Sequence, residues 1–378
     1  MIYFNKASIT ELEEQYVLDC LRTSKLSGDG KYTKKVYQQL KELLGIENVL
    51  LTTSGTDALE LASLLARLEP GDEVITPSFT FSSTVNAFLL RGAKPVFCDI
   101  RPDTYNIDEK LIEDLITEKT KAIYTVDYAG FPAEMDTINA LAEKHNLIVI
   151  EDAAQSVGST YKGRQAGTLS VLGCFSFHET KNYAMGEGGA LVVNNEPALY
   201  ERAEIIREKG TNRRQVLLGL VDKYTWHDIG SSFLPSDLLA ALLAAQLDRF
   251  HEIMDKRMSV WNTYYNGLQS LSRQGLLGLP TLLPEIEHNA HMFNILLSDA
   301  DARSELVDRL KQQGIMAYIC YIPLHSSPYG RSFGYKPEDC PVTEDYGSRL
   351  LRLPLYADMT VADAQYVVDV INAEVPLL

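Results

Sequence analysis

The chain has 378 residues, of which 35 are Lys or Arg and 51 are Asp or Glu, so its formal net charge is −16, and 46% of its residues are hydrophobic. This balance is typical of a globular protein with a large core, and it excludes a mainly disordered chain. The negative charge argues against nucleic acid or an anionic membrane as the main partner, because both require a basic protein face.

The sequence shows no pattern typical of a signal peptide, a membrane span or a disulfide framework. The first residues, MIYFNKASITELEEQY, lack the basic and apolar regions of a signal peptide. The most apolar helical stretch, Leu238–Leu247, is shorter than the ~20 residues that span a membrane. The cysteines are scattered and form no close pair, which predicts reduced thiols in a cytoplasmic protein and no metal site; they are Cys20, Cys98, Cys174, Cys320 and Cys340.

In the first half, short apolar β-rich runs alternate with helical patterns. Strands are predicted at Val49–Thr53, Glu73–Thr76, Pro95–Ile100, Ala122–Asp127 and Leu147–Glu151. Helices are predicted at Thr56–Leu68, Ser82–Arg91, Asp108–Thr117 and Met135–His145. This alternation predicts an α/β domain with a mainly parallel sheet that is covered on both faces.

In the second half the pattern changes. Helical patterns dominate Pro197–Leu271, and a small α+β unit follows. Its predicted elements are a strand at Met292–Leu297, a helix at Arg303–Gln313, a strand at Ala317–Ile322 and a helix at Thr360–Val375. We therefore expect a large domain over 1–245 and a small domain over 246–378, with a boundary uncertain by about 15 residues.

The first candidate binding motif follows the first strand. Ser54, Gly55 and Thr56 open a helix there, and a helix N-terminus offers free N–H groups and a favourable dipole to a phosphate. An ordinary Ser/Thr helix cap would give the same pattern.

The second motif is an apolar strand that ends in Glu151-Asp152. A carboxylate buried in a sheet needs a cation or a hydrogen-bond donor, so Asp152 is a candidate partner for a positive group. The alternative is an Asp that caps a helix.

The third motif is Lys181. It follows the apolar run Phe175–Phe177 and precedes a glycine-rich segment and the predicted strand Ala190–Val193. A lysine is normally solvated, but one that faces inward loses its proton more readily and becomes a nucleophile towards carbonyls.

Together the three motifs fit pyridoxal phosphate. This cofactor needs a lysine, a carboxylate opposite its pyridine nitrogen and an anion site. Lys181, Asp152 and the Ser54–Thr56 turn supply these groups, and the Ser176 hydroxyl would also meet the phosphate. Phe81 either stacks on the cofactor ring or packs in the core.

The same segments carry a resemblance to a known family. Ser54-Gly55-Thr56-Asp57-Ala58-Leu59, Glu151-Asp152-Ala153-Ala154-Gln155 and Ser176-Phe177-His178-Glu179-Thr180-Lys181-Asn182 resemble the DegT/DnrJ/EryC1/StrS sugar aminotransferases. The resemblance covers nearly the whole chain. It implies the α/β fold of the fold-type I pyridoxal-phosphate transferases, with a mostly parallel seven-stranded sheet and a smaller C-terminal α+β domain.

The resemblance also implies residue roles. Lys181 would form the Schiff base, and Asp152 would pair with the pyridine nitrogen. Gln155 would lie against the ring, Phe81 would stack on it, and the phosphate would meet Gly55, Thr56 and Ser176. In many members an asparagine of the neighbouring subunit reaches the phosphate, whereas this chain has Ser232 at that position.

The implied reaction transfers an amino group from L-glutamate to C4 of dTDP-4-dehydro-6-deoxy-D-glucose in a homodimer with shared sites. The alternatives within the family are the gluco product or amination at C3. From other classes, a non-catalytic regulator is disfavoured by the acidic charge, and an NAD-dependent oxidoreductase by the lack of a GxGxxG motif after the first strand.

A basic loop is the candidate clamp for the substrate's diphosphate. It spans Arg207–Arg214, and Lys209 and Arg213 are its predicted phosphate contacts, since an arginine fork binds two oxygens at once. A solvated charge run would look the same. His325 is a further predicted substrate contact.

Overall fold

A computed structural model describes residues 1–319 and 321–378. The helices are α1 Glu11–Arg22, α2 Lys31–Leu44, α3 Gly55–Leu65, α4 Ser82–Leu89, α5 Met135–His145, α6 Pro197–Arg207, α7 Arg213–Leu217, α8 Asp237–Asp248, α9 Phe250–Gly267, α10 Gln269–Arg273, α11 Ala300–Gln312, α12 Pro328–Arg331, α13 Pro341–Arg349 and α14 Val361–Glu374. The strands are β1 Val49–Thr52, β2 Glu73–Pro77, β3 Lys94–Cys98, β4 Thr120–Val126, β5 Ile148–Asp152, β6 Thr160–Tyr161, β7 Arg164–Gln165, β8 Leu172–Ser176, β9 Gly189–Val193, β10 Ile286–Glu287, β11 Phe293–Leu296, β12 Tyr318–Ile319 and β13 Leu350–Leu353.

The central sheet has seven strands in the order β1-β9-β8-β5-β4-β2-β3. All of them run parallel except β9, which is antiparallel to both β1 and β8. The predicted α/β fold with a mostly parallel sheet is confirmed. The carboxyl ends of β1, β2, β5 and β8 therefore lie along one edge, where open α/β sheets bind their ligands.

Helices cover both faces of this sheet, because successive strand residues face opposite sides. Ile150 packs in a core with helices α3 and α4, whereas its neighbour Val149 packs on the other face against Met135 and Ile138 of α5. Helices α2 and α8 pack together over the part of that face formed by β1, β8 and β9. The near-continuous apolar strands noted in the sequence are thus buried on both sides.

A second sheet of three strands, β11-β13-β12, lies in the last third of the chain. Its leucines and Phe293 pack with helices α9, α11 and α14 in one core. The predicted boundary at residue 245 falls inside α8. The division into 1–245 and 246–378 therefore stays a prediction.

Most predicted elements of the first half occur within a few residues of their expected bounds, but the helix at Asp108–Thr117 was wrong. The segment forms turns and one 3-10 turn, Glu113–Leu115. Ile107 pairs with Ile100 in an isolated β-bridge, and Asp108 accepts a hydrogen bond from the N–H of Lys110. An aspartate that bonds a nearby backbone N–H competes with helix formation.

The helical prediction over Pro197–Leu271 is correct in its parts but wrong between α7 and α8. Residues 218–236 form turns, bends and isolated bridges. Gly219 has a φ of +69°, and Gly230 approaches the Gly210 backbone so closely that a Cβ would lie 2.0 Å from the Gly210 nitrogen. These glycines suit a loop and not a helix.

In the C-terminal part, the strand at Met292–Leu297 and the helices at Arg303–Gln313 and Thr360–Val375 are confirmed. The strand at Ala317–Ile322 is reduced to Tyr318–Ile319, and Cys320 lies outside the described residues. The four described cysteines are buried free thiols. Within the described ranges, no helix is long and apolar enough to cross a membrane.

Candidate active site

A cavity of about 450 Å³ opens at the carboxyl edge of the central sheet. The ends of strands β4, β5 and β8 of the large sheet and the β8–β9 connection contribute lining residues. Strand β13 of the smaller sheet contributes Arg352 to the lining. Its lining includes all three predicted motifs, as Ser54, Gly55, Thr56, Asp152, Ser176 and Lys181. The sheet topology thus brings together residues that are up to 127 positions apart.

The N-terminus of α3 forms one end of the cavity. Ser54 caps this helix, and its Oγ accepts a hydrogen bond from the Asp57 N–H at 2.9 Å. Gly55 touches the end of β8 so closely that a Cβ would lie 2.8 Å from the Ser176 Cβ. The Thr56 hydroxyl lies 2.8 Å from the Ser83 hydroxyl. The cap reading and the phosphate reading are therefore compatible, because several hydroxyls and the helix dipole face one space.

Asp152 lies at the end of β5 and is 6% exposed. Its Oδ2 accepts a hydrogen bond from the Thr84 hydroxyl at 2.7 Å, and its Oδ1 accepts one from the Ala154 N–H at 3.2 Å. Burial raises the pKa of Asp152, while the Lys181 charge lowers it. The residues after Asp152 form turns, so this aspartate caps no helix. It is suited to hold a positive group of a ligand.

Lys181 lies in the turn between β8 and β9, next to a locked polar network. Asn182 donates from its amide to the Asn289 carbonyl at 2.8 Å. Its oxygen then faces Nδ1 of His291 at 2.9 Å. This arrangement assigns the proton of His291 to Nδ1. Burial keeps the pKa of His291 well below its usual value, and the positive charges of Lys181 and two arginines lower it further. The imidazole is therefore neutral.

Gln155 and Phe81 border the middle of the cavity. The oxygen of Gln155 accepts a hydrogen bond from the Ala129 N–H at 2.8 Å, and its nitrogen donates to the Tyr321 hydroxyl at 3.1 Å. Phe81 is 59% exposed and lies 6.2 Å from the Tyr321 ring, centre to centre. This exposure excludes the core-packing alternative for Phe81, because a core ring would be fully covered.

The predicted clamp residues lie elsewhere. Lys209 and Arg213 both pair with buried Glu208, at 3.6 Å and 3.0 Å. Ser232 is exposed and forms an isolated bridge with Glu208. Lys209, Arg213 and Ser232 do not line the cavity of their own chain among the described residues. Their predicted roles require a second subunit.

The predicted substrate contact of His325 is corrected. This side chain is completely buried, and its Nδ1 lies 2.6 Å from the Ser78 hydroxyl. Its Nε2 faces the Pro337 carbonyl and the Glu344 carboxylate at 3.3 Å each. Both ring nitrogens contact protein groups, so His325 connects the segment after β2 to the C-terminal part of the chain through hydrogen bonds.

The cavity residues that the sequence did not identify as site residues include Thr84, His291, Tyr321 and Arg352. Arg352 carried a sequence signal, because it interrupts the apolar strand Leu350-Leu351-Arg352-Leu353, just as Lys181 follows an apolar run. Thr84 carried none, since a threonine in a helix of ordinary composition does not indicate which strand it faces.

Comparisons with known proteins agree with this geometry. The model of the DegT/DnrJ/EryC1/StrS aminotransferase family matches residues 7–372. The GDP-perosamine synthase of Escherichia coli O157:H7 is 32% identical, over 97% of this chain and 96% of that protein. The pleiotropic regulatory protein of Geobacillus stearothermophilus is 34% identical, over 95% of this chain and 96% of that protein.

Among solved structures, the pyridoxal-phosphate form of Spr1654 from Streptococcus pneumoniae superposes with a TM-score of 0.92 at 25% identity and covers 100% of this chain and 99% of that one. Aminotransferases of this family use pyridoxal phosphate, and the residues of this cavity fit that cofactor. Lys181, Asp152 and the α3 N-terminus would hold its aldehyde, its pyridine nitrogen and its phosphate. When bound, the cofactor supplies an electron sink for the amino transfer.

Proposed function

Because the chain belongs to the DegT/DnrJ/EryC1/StrS aminotransferase family, we propose that it transfers an amino group from L-glutamate to C4 of dTDP-4-dehydro-6-deoxy-D-glucose, giving dTDP-4-amino-4,6-dideoxy-D-galactose. This is the reaction of a dTDP-4-amino-4,6-dideoxygalactose transaminase of polysaccharide biosynthesis, and the cytoplasm is its proposed location. Sequence resemblance in Phe177–Tyr183 and Arg207–Arg213 supports this choice within the family. A nucleotide-sugar product is also in the name of the GDP-perosamine synthase relative.

The observation that carries the aminotransferase chemistry is the placement of Lys181 and Asp152 in one cavity. Lys181 lines this cavity together with the neutral imidazole of His291. A lysine amine within reach of the reacting atoms can move a proton between them. Asp152 offers a buried carboxylate that is already oriented by Thr84. Lys181 is therefore the proposed proton carrier, and Asp152 fixes a cationic nitrogen.

We further propose a homodimer in which each subunit completes the other's site. Residues 217–229 expose an apolar surface, which we call the arm, with Leu217 71%, Leu220 70% and Trp226 80% exposed. Exposed apolar patches of this kind mark contact surfaces. The three residues expected near phosphates, Lys209, Arg213 and Ser232, lie beside the arm and outside their own cavity.

Turnover of the purified holoenzyme tests the function. We expect wild type to consume L-glutamate and the 4-keto sugar nucleotide and to give the galacto amine, with stereochemistry read by product NMR. Lys181→Ala should lose several orders of magnitude in rate while retaining the wild-type far-UV circular dichroism. Lys162→Ala is the matched control, since Lys162 is half-exposed and pairs with Asp136 on the surface.

A C3 amine or the gluco epimer would contradict the proposed product, and retained turnover in Lys181→Ala would contradict the role of the lysine. The second candidate is a non-catalytic regulator, which the name of the pleiotropic regulatory protein relative favours. That role would be supported if the wild-type protein binds the cofactor but forms none of the three amino sugars, which are the galacto amine, the gluco epimer and the C3 amine.

A further inference from the structure

The turn that carries Lys181 is held on both of its sides. Before the lysine, the turn holds itself, because the N–H of Lys181 donates to the His178 carbonyl at 2.9 Å. After the lysine, Asn182 reaches across to the β10–β11 connection. Its amide donates to the Asn289 carbonyl at 2.8 Å, and its oxygen accepts from Nδ1 of His291 at 2.9 Å. A buried amide that is bonded at both ends has one orientation, so the residue next to Lys181 is fixed in place.

The β10–β11 connection is itself attached to the segment that follows β5. Asn289 donates from its amide to the carbonyls of Gln155, at 2.8 Å, and of Val157, at 3.0 Å. Its oxygen accepts a hydrogen bond from the N–H of His291 at 3.0 Å. Gly130 packs against that oxygen so closely that a Cβ would lie 2.0 Å from it. The backbone that carries His291 is therefore fixed to the carboxyl edge of the large sheet.

Arg257 of α9 also holds this connection. Its side chain is buried, and it donates from Nε to the Ala290 carbonyl at 3.2 Å and from Nη2 to the His291 carbonyl at 2.6 Å. Burial lowers the pKa of Arg257 to about 9. Ala290 has a φ of +50°, which is unfavourable for a residue with a Cβ, and a strained backbone persists only where surrounding contacts hold it. The buried guanidinium thus keeps the backbone at His291 in one conformation.

His291 connects this rigid segment to the active site. Its ring lines the main cavity and a small adjoining space, and Lys181 lines both. Within the described part of the chain, the ring makes one hydrogen bond, which is the bond from Nδ1 to Asn182. An apolar side chain would fill the same space without the cost of burying an imidazole. What the imidazole adds is therefore its bond to the residue next to Lys181.

We infer that His291 is a positioning residue, which keeps the amine of Lys181 poised to react with the cofactor's aldehyde through its hydrogen bond to Asn182. The inference rests on the proposed role of Lys181 as the lysine that binds the cofactor. Linkage replaces the aldehyde C=O by C=N to the lysine nitrogen and releases one water molecule. A lysine has a flexible four-carbon stem, so a fixed backbone confines its amine to a smaller volume. Such confinement raises the effective concentration of a reacting group.

Two ligands separate the positioning of the lysine from damage to the site. Pyridoxal phosphate links to Lys181, whereas 4-deoxypyridoxine phosphate has a methyl group in place of the aldehyde and relies on the ring and phosphate contacts alone. In His291→Leu, the cofactor-free protein should bind pyridoxal phosphate about tenfold or more weakly than wild type. It should bind the deoxy compound within about twofold of wild type, because those contacts are unchanged. Calorimetric titration measures both affinities. His291→Asn, which retains an N–H donor near the position of Nδ1, should recover most of the loss.

A double-mutant cycle tests whether His291 acts through Asn182. Asn182→Ala should also weaken the binding of pyridoxal phosphate, and the double variant should bind it no more weakly than Asn182→Ala alone. His288→Leu is the matched control in the same connection. His288 accepts a hydrogen bond from the Ala290 N–H at 3.1 Å and stacks on Phe131, but it is not among the described residues that line the cavity. This variant should bind both ligands as wild type does, whatever its melting temperature.

The positioning role would be overturned by equal weakening of both ligands in His291→Leu, by unchanged pyridoxal-phosphate affinity in that variant, by additive losses in the double variant, or by the same loss in His288→Leu. Borohydride tests the premise separately, because it reduces the C=N bond to a stable amine that peptide mapping locates. If reduced wild type carries no cofactor on Lys181, the proposed role of the lysine fails as well. Failure in the titrations alone overturns the role of His291 and leaves the proposed function intact.

Discussion

At the scale of single residues, Asp152 shows how the protein orients a buried carboxylate before a ligand binds. The carboxylate is buried at a strand end, where desolvation raises its pKa. Hydrogen bonds from Thr84 and from the Ala154 N–H oppose that shift and fix its direction. A pyridinium placed opposite Asp152 would lower the pKa of this carboxyl further, because an opposite charge nearby favours the ionised form.

Asp152→Asn should retain cofactor but lower turnover strongly, since an amide cannot hold the pyridinium proton by charge. Thr84→Val, which removes only the oriented hydroxyl, should show a smaller loss in the same direction. Turnover per bound cofactor is the quantity to measure, with the cofactor content determined by absorbance. An Asp152→Asn protein with a lower melting temperature but normal turnover per cofactor would limit this residue to a structural role.

The residues that the sequence could identify are those whose type conflicts with their surroundings. Lys181 beside an apolar run and Asp152 at the end of an apolar strand both stand out in this way. Thr84 and His291 do not, because their importance comes from contacts made across 68 and 109 positions. His325 was misassigned for the converse reason: a histidine near a candidate site is equally suited to a buried structural bond.

At the scale of elements, the tight contact between α3 and β8 shapes the phosphate end of the cavity. Gly55→Ala should weaken pyridoxal-phosphate binding about tenfold or more, because an added methyl would overlap Ser176 and displace the helix end. A titration of cofactor-free protein with pyridoxal phosphate measures this. Gly278→Ala, where the methyl meets Leu296 outside the cavity, is the control. Equal affinities in both variants would contradict the proposed phosphate site.

The ends of β4 and β5 hold two carboxyls in contact, Asp127 and Glu151, both completely buried. Burial raises the pKa of Asp127 to about 7, and burial with the charge of Asp127 raises the pKa of Glu151. The folded protein therefore keeps a proton that the unfolded chain releases above about pH 4. The free energy of unfolding must fall as pH rises from there towards 7, by at most about 1.4 kcal/mol per pH unit for one proton.

Asp127→Asn removes this shared proton, so its melting temperature should fall less between pH 5 and pH 7 than that of wild type. Asp114→Asn, which changes an exposed carboxylate, is the control and should follow the wild-type curve. Parallel curves for wild type and Asp127→Asn would show that the pair carries no shared proton. Melting temperatures at saturating cofactor are the measurement.

Element prediction succeeded where apolar periodicity was sustained and failed where local polar bonds decide the backbone. The strands of the central sheet are buried on both faces, so their apolar runs are long and easily recognised. The segment from Asp108 to Thr117 has helical spacing of its isoleucines, but side-chain to backbone bonds hold it in turns. Such competition is not visible in periodicity.

At the scale of the whole molecule, the proposed function requires a protein of charge −16 to bind an anionic sugar nucleotide. Screening reduces the repulsion beyond about 8 Å at physiological salt, so local cations decide the binding. Lys209 and Arg213 are cations of the predicted clamp, yet both lie outside their own cavity and beside the exposed apolar arm. A clamp at this place works only if the arm docks on a second copy of the chain.

Hybrid dimers test that arrangement directly. A subunit with Lys181→Ala has an intact arm but no lysine, and a subunit with Lys209→Ala and Arg213→Ala has the lysine but an impaired clamp. If the arm serves the partner, one of the two sites in a co-expressed, doubly tagged hybrid combines an intact lysine with an intact clamp. The hybrid should then recover the wild-type KM for sugar nucleotide at about half the wild-type kcat. The double variant alone should show a raised, salt-dependent KM and an unchanged glutamate half-reaction. If the clamp serves its own cavity, no hybrid site has both features, and the KM of the hybrid stays as high as that of the double variant.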